Sequence, residues 1–108
     1  MKIIVTGGAG FIGSNVVDGF LKEGYQVVII DNLSTGLERN INPQAKFYCA
    51  DIRDRDAIRQ IFEQERPDYV DHHAAQIDVR KSTDDPIFDA ECNIFGSLNI
   101  IMNAVRTL

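Results

Sequence analysis

A run of glycines near the amino terminus has the residue types and spacing that suit contact with a phosphate group. Residues 7–13 read GGAGFIG, a G-x-x-G-x-x-G pattern that directly follows a short β-branched run. Glycines let the backbone turn tightly and approach a pyrophosphate, while a following helix offers unpaired N–H groups and a partial positive charge. A glycine-rich turn without a ligand is the alternative, which the strand-and-helix context disfavours.

A carboxylate follows the second apolar run at a position that suits contact with a ribose. Asp31 lies eighteen residues beyond Gly13 and directly after the run QVVII. An acid at this position accepts hydrogen bonds from the hydroxyl groups of an adenosine ribose. Because a carboxylate repels a 2′-phosphate and residues 32–36 contain no arginine, the sequence predicts NAD rather than NADP. An aspartate that merely caps the loop is the alternative.

Weaker signals lie where two further strands should end. Asp51 follows a third short run and residues 74–76 (AAQ) follow a fourth, where open α/β sheets bind ligands. Loop capping or simple packing explains both equally well.

His72 and His73 point to opposite faces of a strand and no Cys or His completes a set, so no metal site is predicted. One histidine should be a hydrogen-bonded interior residue, and Asp71 needs a polar partner or water.

Alternating strands and helices must position these residues. Apolar runs predict strands over 2–5, 26–30, 45–50 and 69–72, and amphipathic stretches predict helices over 11–22, 54–64 and 86–106. This alternation indicates an α/β fold with a parallel sheet, and right-handed crossovers give the strand order 3-2-1-4. The apolar positions of the last helix are expected to face the core; they are Ile87, Phe88, Ile94, Leu98, Ile101, Met102 and Val105.

The composition is that of one small globular domain. The chain has 108 residues, 44% of them hydrophobic and 25% charged, which excludes a disordered chain. Sixteen acids against eleven bases give a net charge of -5 with no basic stripe, which argues against a nucleic-acid binder. Arg53 and its neighbours are interleaved with acids, a pattern typical of a solvated helix face.

No apolar run is long enough to span a membrane. With Cys49 and Cys92 far apart and no secretory signal, we expect free thiols and a cytoplasmic location.

Five segments together resemble the extended short-chain dehydrogenase/reductase family, and within it the NAD-dependent nucleotide-sugar epimerases and dehydratases. They are residues 6–13 (TGGAGFIG), 31–36 (DNLSTG), 51–52 (DI), 72–76 (HHAAQ) and 93–97 (NIFGS). The resemblance implies a Rossmann-type sheet of about four strands in the order 3-2-1-4 with flanking helices. It also implies that Gly7, Gly10, Phe11 and Ile12 line the pyrophosphate, with Gly13 beside them, and that Asp31, Asn32, Ser34, Thr35 and Gly36 surround the adenosine ribose. In the same way, Asp51 and Ile52 would meet the adenine, Ala74, Ala75 and Gln76 the nicotinamide half, and Asn93 would lie near the cofactor.

Three departures from the family pattern limit what the resemblance implies. Ile77 replaces a cofactor-contacting lysine that some 4-epimerases have, and Asp71 stands where an apolar residue is frequent. The catalytic Tyr-x-x-x-Lys pair is missing, since the residues four positions after Tyr25, Tyr48 and Tyr69 are Ile29, Ile52 and His73. No catalytic residue is therefore predicted in this chain.

We expect residues 1–108 to be the amino-terminal part of a dinucleotide-binding domain, with no second domain. Such a chain should bind NAD without catalysis on its own, and it should self-associate through an exposed sheet edge. A nucleotide sugar would bind only to a longer parent enzyme. Three alternatives stay open: another nucleotide-sugar epimerase or dehydratase, a module that senses a dinucleotide without chemistry, and a folded fragment that binds nothing measurable.

Overall fold

Four parallel strands form one sheet in the order β3-β2-β1-β4, which confirms the predicted order. The strands are β1 (Lys2–Thr6), β2 (Gln26–Asp31), β3 (Lys46–Cys49) and β4 (Tyr69–His72). The structure is a computed structural model that describes residues 1–33, 36–74, 87 and 91–107. Because all four strands run the same way, their carboxyl ends share one edge of the sheet. Thr6 there pairs with Ile30 on one side and with His72 on the other.

The helices that cover the sheet are α1 (Phe11–Lys22), α2 (Arg55–Glu65) and α3 (Ser97–Thr107). The bounds of α1 are those predicted. The first helical residue of α2 is one later than predicted because Asp54 is the N-cap, whose side chain accepts a hydrogen bond from the Ala57 N–H at 3.2 Å. Two shorter helical turns lie between these elements: a 3₁₀ turn over Glu38–Asn40 and a π-helical turn over Glu91–Gly96.

Apolar side chains fill both faces of the sheet. On one face Ile4, Val28 and Ile30 pack with side chains of α2 and α3, among them Phe62 and Ile100. On the other face, strand residues pack with Val17 of α1. Burial on both faces explains why β2 is apolar at every position from 27 to 30, as is typical of a parallel sheet.

The predicted burial of the last helix is wrong. Its buried residues are Asn99, Ile100 and Asn103, and the amide of Asn99 donates to the backbone oxygen of Ile52 at 3.0 Å. The apolar side chains expected in the core are instead 50–77% exposed; they are Ile87, Ile94, Leu98, Ile101, Met102 and Val105. Phe88 lies outside the described residues. Within the described part of the chain, no helix is both long and apolar enough to cross a lipid bilayer.

An ionic cluster holds the opposite, amino edge of the sheet. The Glu65 carboxylate, only 4% exposed, lies 3.1 Å from Lys2 Nζ and 2.7 Å from Lys46 Nζ, and it accepts a hydrogen bond from the Tyr48 hydroxyl. Burial opposes ionisation of Glu65, but hydrogen bonds from Lys46, Tyr48 and Lys2 outweigh it and lower the pKa to about 2. The cluster therefore joins β1, β3 and α2 far from the glycine-rich turn.

Candidate functional site

The glycine-rich turn connects β1 to α1 at the carboxyl edge of the sheet, and Gly7, Gly8 and Gly13 leave no room for a side chain. Gly7 has a φ of +72°, and its N–H donates to the Ile30 oxygen at 2.8 Å. A Cβ on Gly7 would lie 2.9 Å from the Ala74 nitrogen, and one on Gly13 would lie 2.1 Å from the Gly7 oxygen. The backbone is thus packed against itself, with the start of α1 pressed onto the turn.

The amino end of α1 is built to accept a negative charge. Gly10 is the N-cap in extended conformation and has no side chain to satisfy the first N–H groups, and the first turn contains no acidic residue. The side chains of Phe11 and Ile12 in that turn are exposed. A twelve-residue helix with an uncapped amino end presents N–H groups and a partial positive charge to an anion such as a phosphate.

Asp31 ends β2 beside this turn and is buried. One of its carboxylate oxygens accepts from the Ala9 N–H at 3.0 Å and the other from the Leu33 N–H at 2.7 Å. The loop-capping role and the ribose-binding role are therefore compatible, because each oxygen keeps a second lone pair for a ligand. Gly36 lies against the same turn, since a Cβ there would be 2.9 Å from the Ala9 carbonyl carbon.

A charged group marks the end of β3. Arg53 Nη2 lies 2.6 Å from Asp51 Oδ2, and its Nη1 lies 3.1 Å from Glu91 Oε2 in the turn before α3. The amide of Asn32 donates to Asp51 at 3.3 Å. Hydrogen bonds from Arg53 lower the pKa of Asp51 against the effect of burial. The carboxylate therefore faces the loop after β2 in its charged form.

Arg53 is a site residue that sequence reasoning missed. Its interleaving with acids suggested a solvated helix face, whereas the residue precedes α2 and binds two carboxylates at the edge of the site. Its position two residues after Asp51, at the end of a predicted strand, could have indicated that it pairs with that carboxylate. Ile52, between them, is buried in the core, and a Cβ on Gly96 would lie 2.5 Å from its Cδ1.

Polar side chains join the ends of β1 and β4. Thr6 Oγ1 accepts from the N–H groups of His73 at 2.9 Å and Ala74 at 3.1 Å, and it lies 2.5 Å from His72 Nδ1. His72 is thus the hydrogen-bonded interior histidine that was predicted. The polar neighbour of Asp71 is His73, whose Nε2 lies 2.9 Å from Asp71 Oδ1. The angle between the two groups does not meet the geometry of a hydrogen bond.

The predicted cofactor residues that the structure describes lie along this carboxyl edge. They follow β1 (Gly7, Gly10, Phe11, Ile12, Gly13), β2 (Asp31, Asn32, Gly36), β3 (Asp51, Ile52) and β4 (Ala74), and Asn93 lies in the turn before α3. Ser34, Thr35, Ala75 and Gln76 lie outside the described residues. Across the described ranges, no group of three or more His, Cys, Asp or Glu side chains could hold a metal ion.

This arrangement fits a dinucleotide. An uncapped helix end over a glycine-rich turn would hold the pyrophosphate, and Asp31 would hold a ribose through the free lone pairs of its carboxylate. The Asp31 carboxylate would repel a 2′-phosphate, which favours NAD over NADP.

Comparison with known proteins agrees with this geometry. The family model of the NAD-dependent epimerase/dehydratase family matches residues 3–107. The UDP-glucose 4-epimerase of Lacticaseibacillus casei is 42% identical over 94% of this chain and 30% of its own length. The structure of the Thermotoga maritima UDP-glucose 4-epimerase with UDP-glucose has a TM-score of 0.97 and 47% identity over 99% of this chain and 35% of that one. The structure of the Thermus thermophilus UDP-glucose 4-epimerase in complex with NAD has a TM-score of 0.95 and 40% identity over 99% of this chain and 34% of that one. The chain thus spans about a third of the length of the relatives it matches.

Proposed function

The chain belongs to the NAD-dependent epimerase/dehydratase family, and from this premise we propose that it is the NAD-binding part of an enzyme like UDP-glucose 4-epimerase. Residues 1–108 would form the amino-terminal part of the dinucleotide-binding domain. The observation that carries the proposal is the uncapped amino end of α1 over the glycine-rich turn, with the Asp31 carboxylate beside it. The exposed free thiol of Cys49 suits a reducing compartment, and a cytoplasmic location is part of the proposal.

The parent enzyme would interconvert UDP-glucose and UDP-galactose through a 4-keto sugar. Bound NAD supplies a reversible hydride acceptor, which this inversion of a sugar hydroxyl requires. The residues of this chain hold and orient the dinucleotide. The chain lacks the Tyr-x-x-x-Lys pair of the family, so the acid–base chemistry is not assigned to it. We therefore propose NAD binding without epimerisation for the 108 residues on their own.

Replacing Asp31 with asparagine tests the ribose contact. The variant removes the negative charge and keeps one acceptor oxygen, so one of the two backbone N–H groups of Ala9 and Leu33 loses its acceptor. We expect its Kd for NAD to rise by about 10- to 100-fold, because hydrogen bonds to a charged acceptor are the stronger ones. We also expect the preference for NAD over NADP to shrink, because a source of repulsion for the 2′-phosphate is gone. Calorimetric titration of both dinucleotides into each protein measures these effects.

Asp68→Asn is the matched control, since Asp68 is exposed and directly precedes β4, at the opposite, amino edge of the sheet. It should bind both dinucleotides as the unaltered chain does. Equal affinity of the unaltered chain for NAD and NADP, left unchanged by Asp31→Asn, would contradict the proposed role of Asp31. Absence of NAD binding by the folded, unaltered chain would contradict the proposed function itself.

Self-association is a second part of the proposal. β4 is an edge strand of the described sheet. The helix packed beside it, α3, exposes Leu98, Ile101 and Val105, and the π-helical turn before it exposes Ile94. These positions alternate by four and three residues, which is the spacing of a helix–helix seam. We propose that two copies associate at this edge. Sedimentation should give about twice the 12.1 kDa of the chain.

Ile101→Lys should shift the sedimenting species to the monomer, because a charge in a buried helix seam is strongly disfavoured. Gln60→Lys on the exposed surface of α2 is the control and should leave the mass unchanged. A monomer before any substitution, over the concentration range tested, would refute self-association and leave NAD binding untouched.

A further inference from the structure

Hydrogen bonds of fixed direction join β1, β4 and α3. Thr6 Oγ1 already accepts from two backbone N–H groups, those of His73 and Ala74, so both of its lone pairs are used. Its own proton must therefore go to His72 Nδ1, 2.5 Å away. A histidine that accepts at Nδ1 carries its proton at Nε2, and that nitrogen lies 2.9 Å from Ser97 Oγ. The contacts thus define one tautomer of a neutral His72.

This chain of hydrogen bonds ends at the backbone of the candidate NAD site. Thr6 directly precedes Gly7, and a Cβ on Gly7 would lie 2.9 Å from the Ala74 nitrogen that Thr6 binds. The glycine-rich turn and the segment after β4 therefore touch where the hydrogen bonds of Thr6 fix them. Ser97, at the other end, is the first residue of α3.

We propose that neutral His72 is a positioning residue that fixes the glycine-rich turn against Ala74, and that its protonation loosens this junction and weakens NAD binding. The inference rests on the proposed function. A protonated ring places a hydrogen on Nδ1, so Thr6 Oγ1 would have to accept from it. One of the backbone N–H groups of His73 and Ala74 would then lose its acceptor, at the cost of an unsatisfied polar group.

The surroundings of His72 favour its neutral form at pH 7. Burial lowers the pKa of His72, the neighbouring His73 lowers it further, and Asp71 opposes the shift. The groups that β1 and α3 bring to the ring, Thr6 and Ser97, carry no charge. Because the pKa in the folded state is below the ordinary 6.5, the unfolded state binds the proton first. The contribution of neutral His72 to the free energy of unfolding is therefore complete above pH 6.5 and is lost as the pH falls below that value.

The test is the pH dependence of NAD affinity in the unaltered chain and in His72→Gln. A glutamine can accept from Thr6 and donate to Ser97 but does not titrate in this range. Between about pH 8 and 5 we expect the unaltered chain to lose affinity by up to roughly tenfold per pH unit below the pKa of His72. His72→Gln should match it within a few-fold at pH 8 and show a flatter profile. His73→Gln is the control and should keep the pH dependence.

Two outcomes separate this inference from the proposed function. If the unaltered chain binds NAD and His72→Gln has the same pH profile, the role of His72 is overturned while NAD binding stands. If the unaltered chain does not bind NAD, NMR of the same protein still tests the junction. Imidazole ¹⁵N shifts should then report the Nε2–H tautomer at pH 8, and the amide signals of Gly7 and Ala74 should titrate with the ring. Failure of these signals to titrate together overturns the inference.

Discussion

Gly13→Ala is expected to weaken NAD binding by about 100-fold or more. The added methyl group would lie 2.1 Å from the Gly7 oxygen, 2.9 Å from its carbonyl carbon and 3.2 Å from the Gly8 Cα. Because all three atoms belong to the backbone, the clash is relieved only if the turn and the start of α1 move apart by about 1 Å. A displacement of that size in a binding site costs on the order of 100-fold. Calorimetric titration of NAD measures it.

The same helix offers a control that isolates the cause. Gly19 also lies in α1, and a Cβ there would meet nothing within 4 Å. Gly19→Ala should raise the free energy of unfolding by about 0.5–1 kcal/mol, because alanine loses less backbone freedom in a helix, and it should leave NAD affinity unchanged. Gly13→Ala should instead destabilise by about 1–3 kcal/mol. NAD affinity of Gly13→Ala within a few-fold of the unaltered chain would show that the close packing of the turn does not shape the site.

Phe62→Ala is expected to lower the free energy of unfolding by about 3–5 kcal/mol. Phe62 is fully buried on the core face that joins α2 and α3 to the sheet, together with Ile4 and Ile100. Removing the ring forfeits its transfer free energy and leaves a cavity between layers that can relax only in part. Since small domains are stable by only about 5–15 kcal/mol, this one change should remove a large share of the total. Urea denaturation without cofactor measures it.

Phe11→Ala makes the same chemical change at a side chain that is 82% exposed. In the absence of NAD it should change the free energy of unfolding by less than about 0.5 kcal/mol. A loss below about 1 kcal/mol for Phe62→Ala would mean that the core closes over the cavity, contrary to the packing described.

Local patterns predicted most of the framework. The apolar spacing of α1 and the short run of β4 gave their bounds directly, because each is bordered by glycine or proline. Alternation of strands and helices gave the sheet order, since right-handed crossovers leave few topologies. The residues at the ends of β1 and β2 were also predicted to lie at one edge of the sheet, and the structure brings them together there; their role in ligand binding stays a prediction.

Interactions between distant segments could not be predicted in the same way. The orientation of α3 depends on Asn99, whose amide binds a buried backbone oxygen of Ile52; hydropathy alone ranks Leu98 and Ile101 as the more buried positions. The contact of His72 with Thr6 joins residues that are 66 positions apart. Such contacts follow from the assembled sheet, which no local pattern contains.

The central place of β1 has a consequence for the order in which the chain can fold. β1 leaves the ribosome before the strands that pair with it: β2 follows 24 positions later, as Val27 pairs with Ile3, and β4 follows 66 positions later, as Tyr69 pairs with Ile3. At synthesis rates of about 5–20 residues per second, one edge of this apolar strand stays unpaired for roughly 3 to 13 seconds. An open edge of that kind is a template for pairing with another nascent chain. The period of greatest risk of aggregation therefore ends only when β4 has been made.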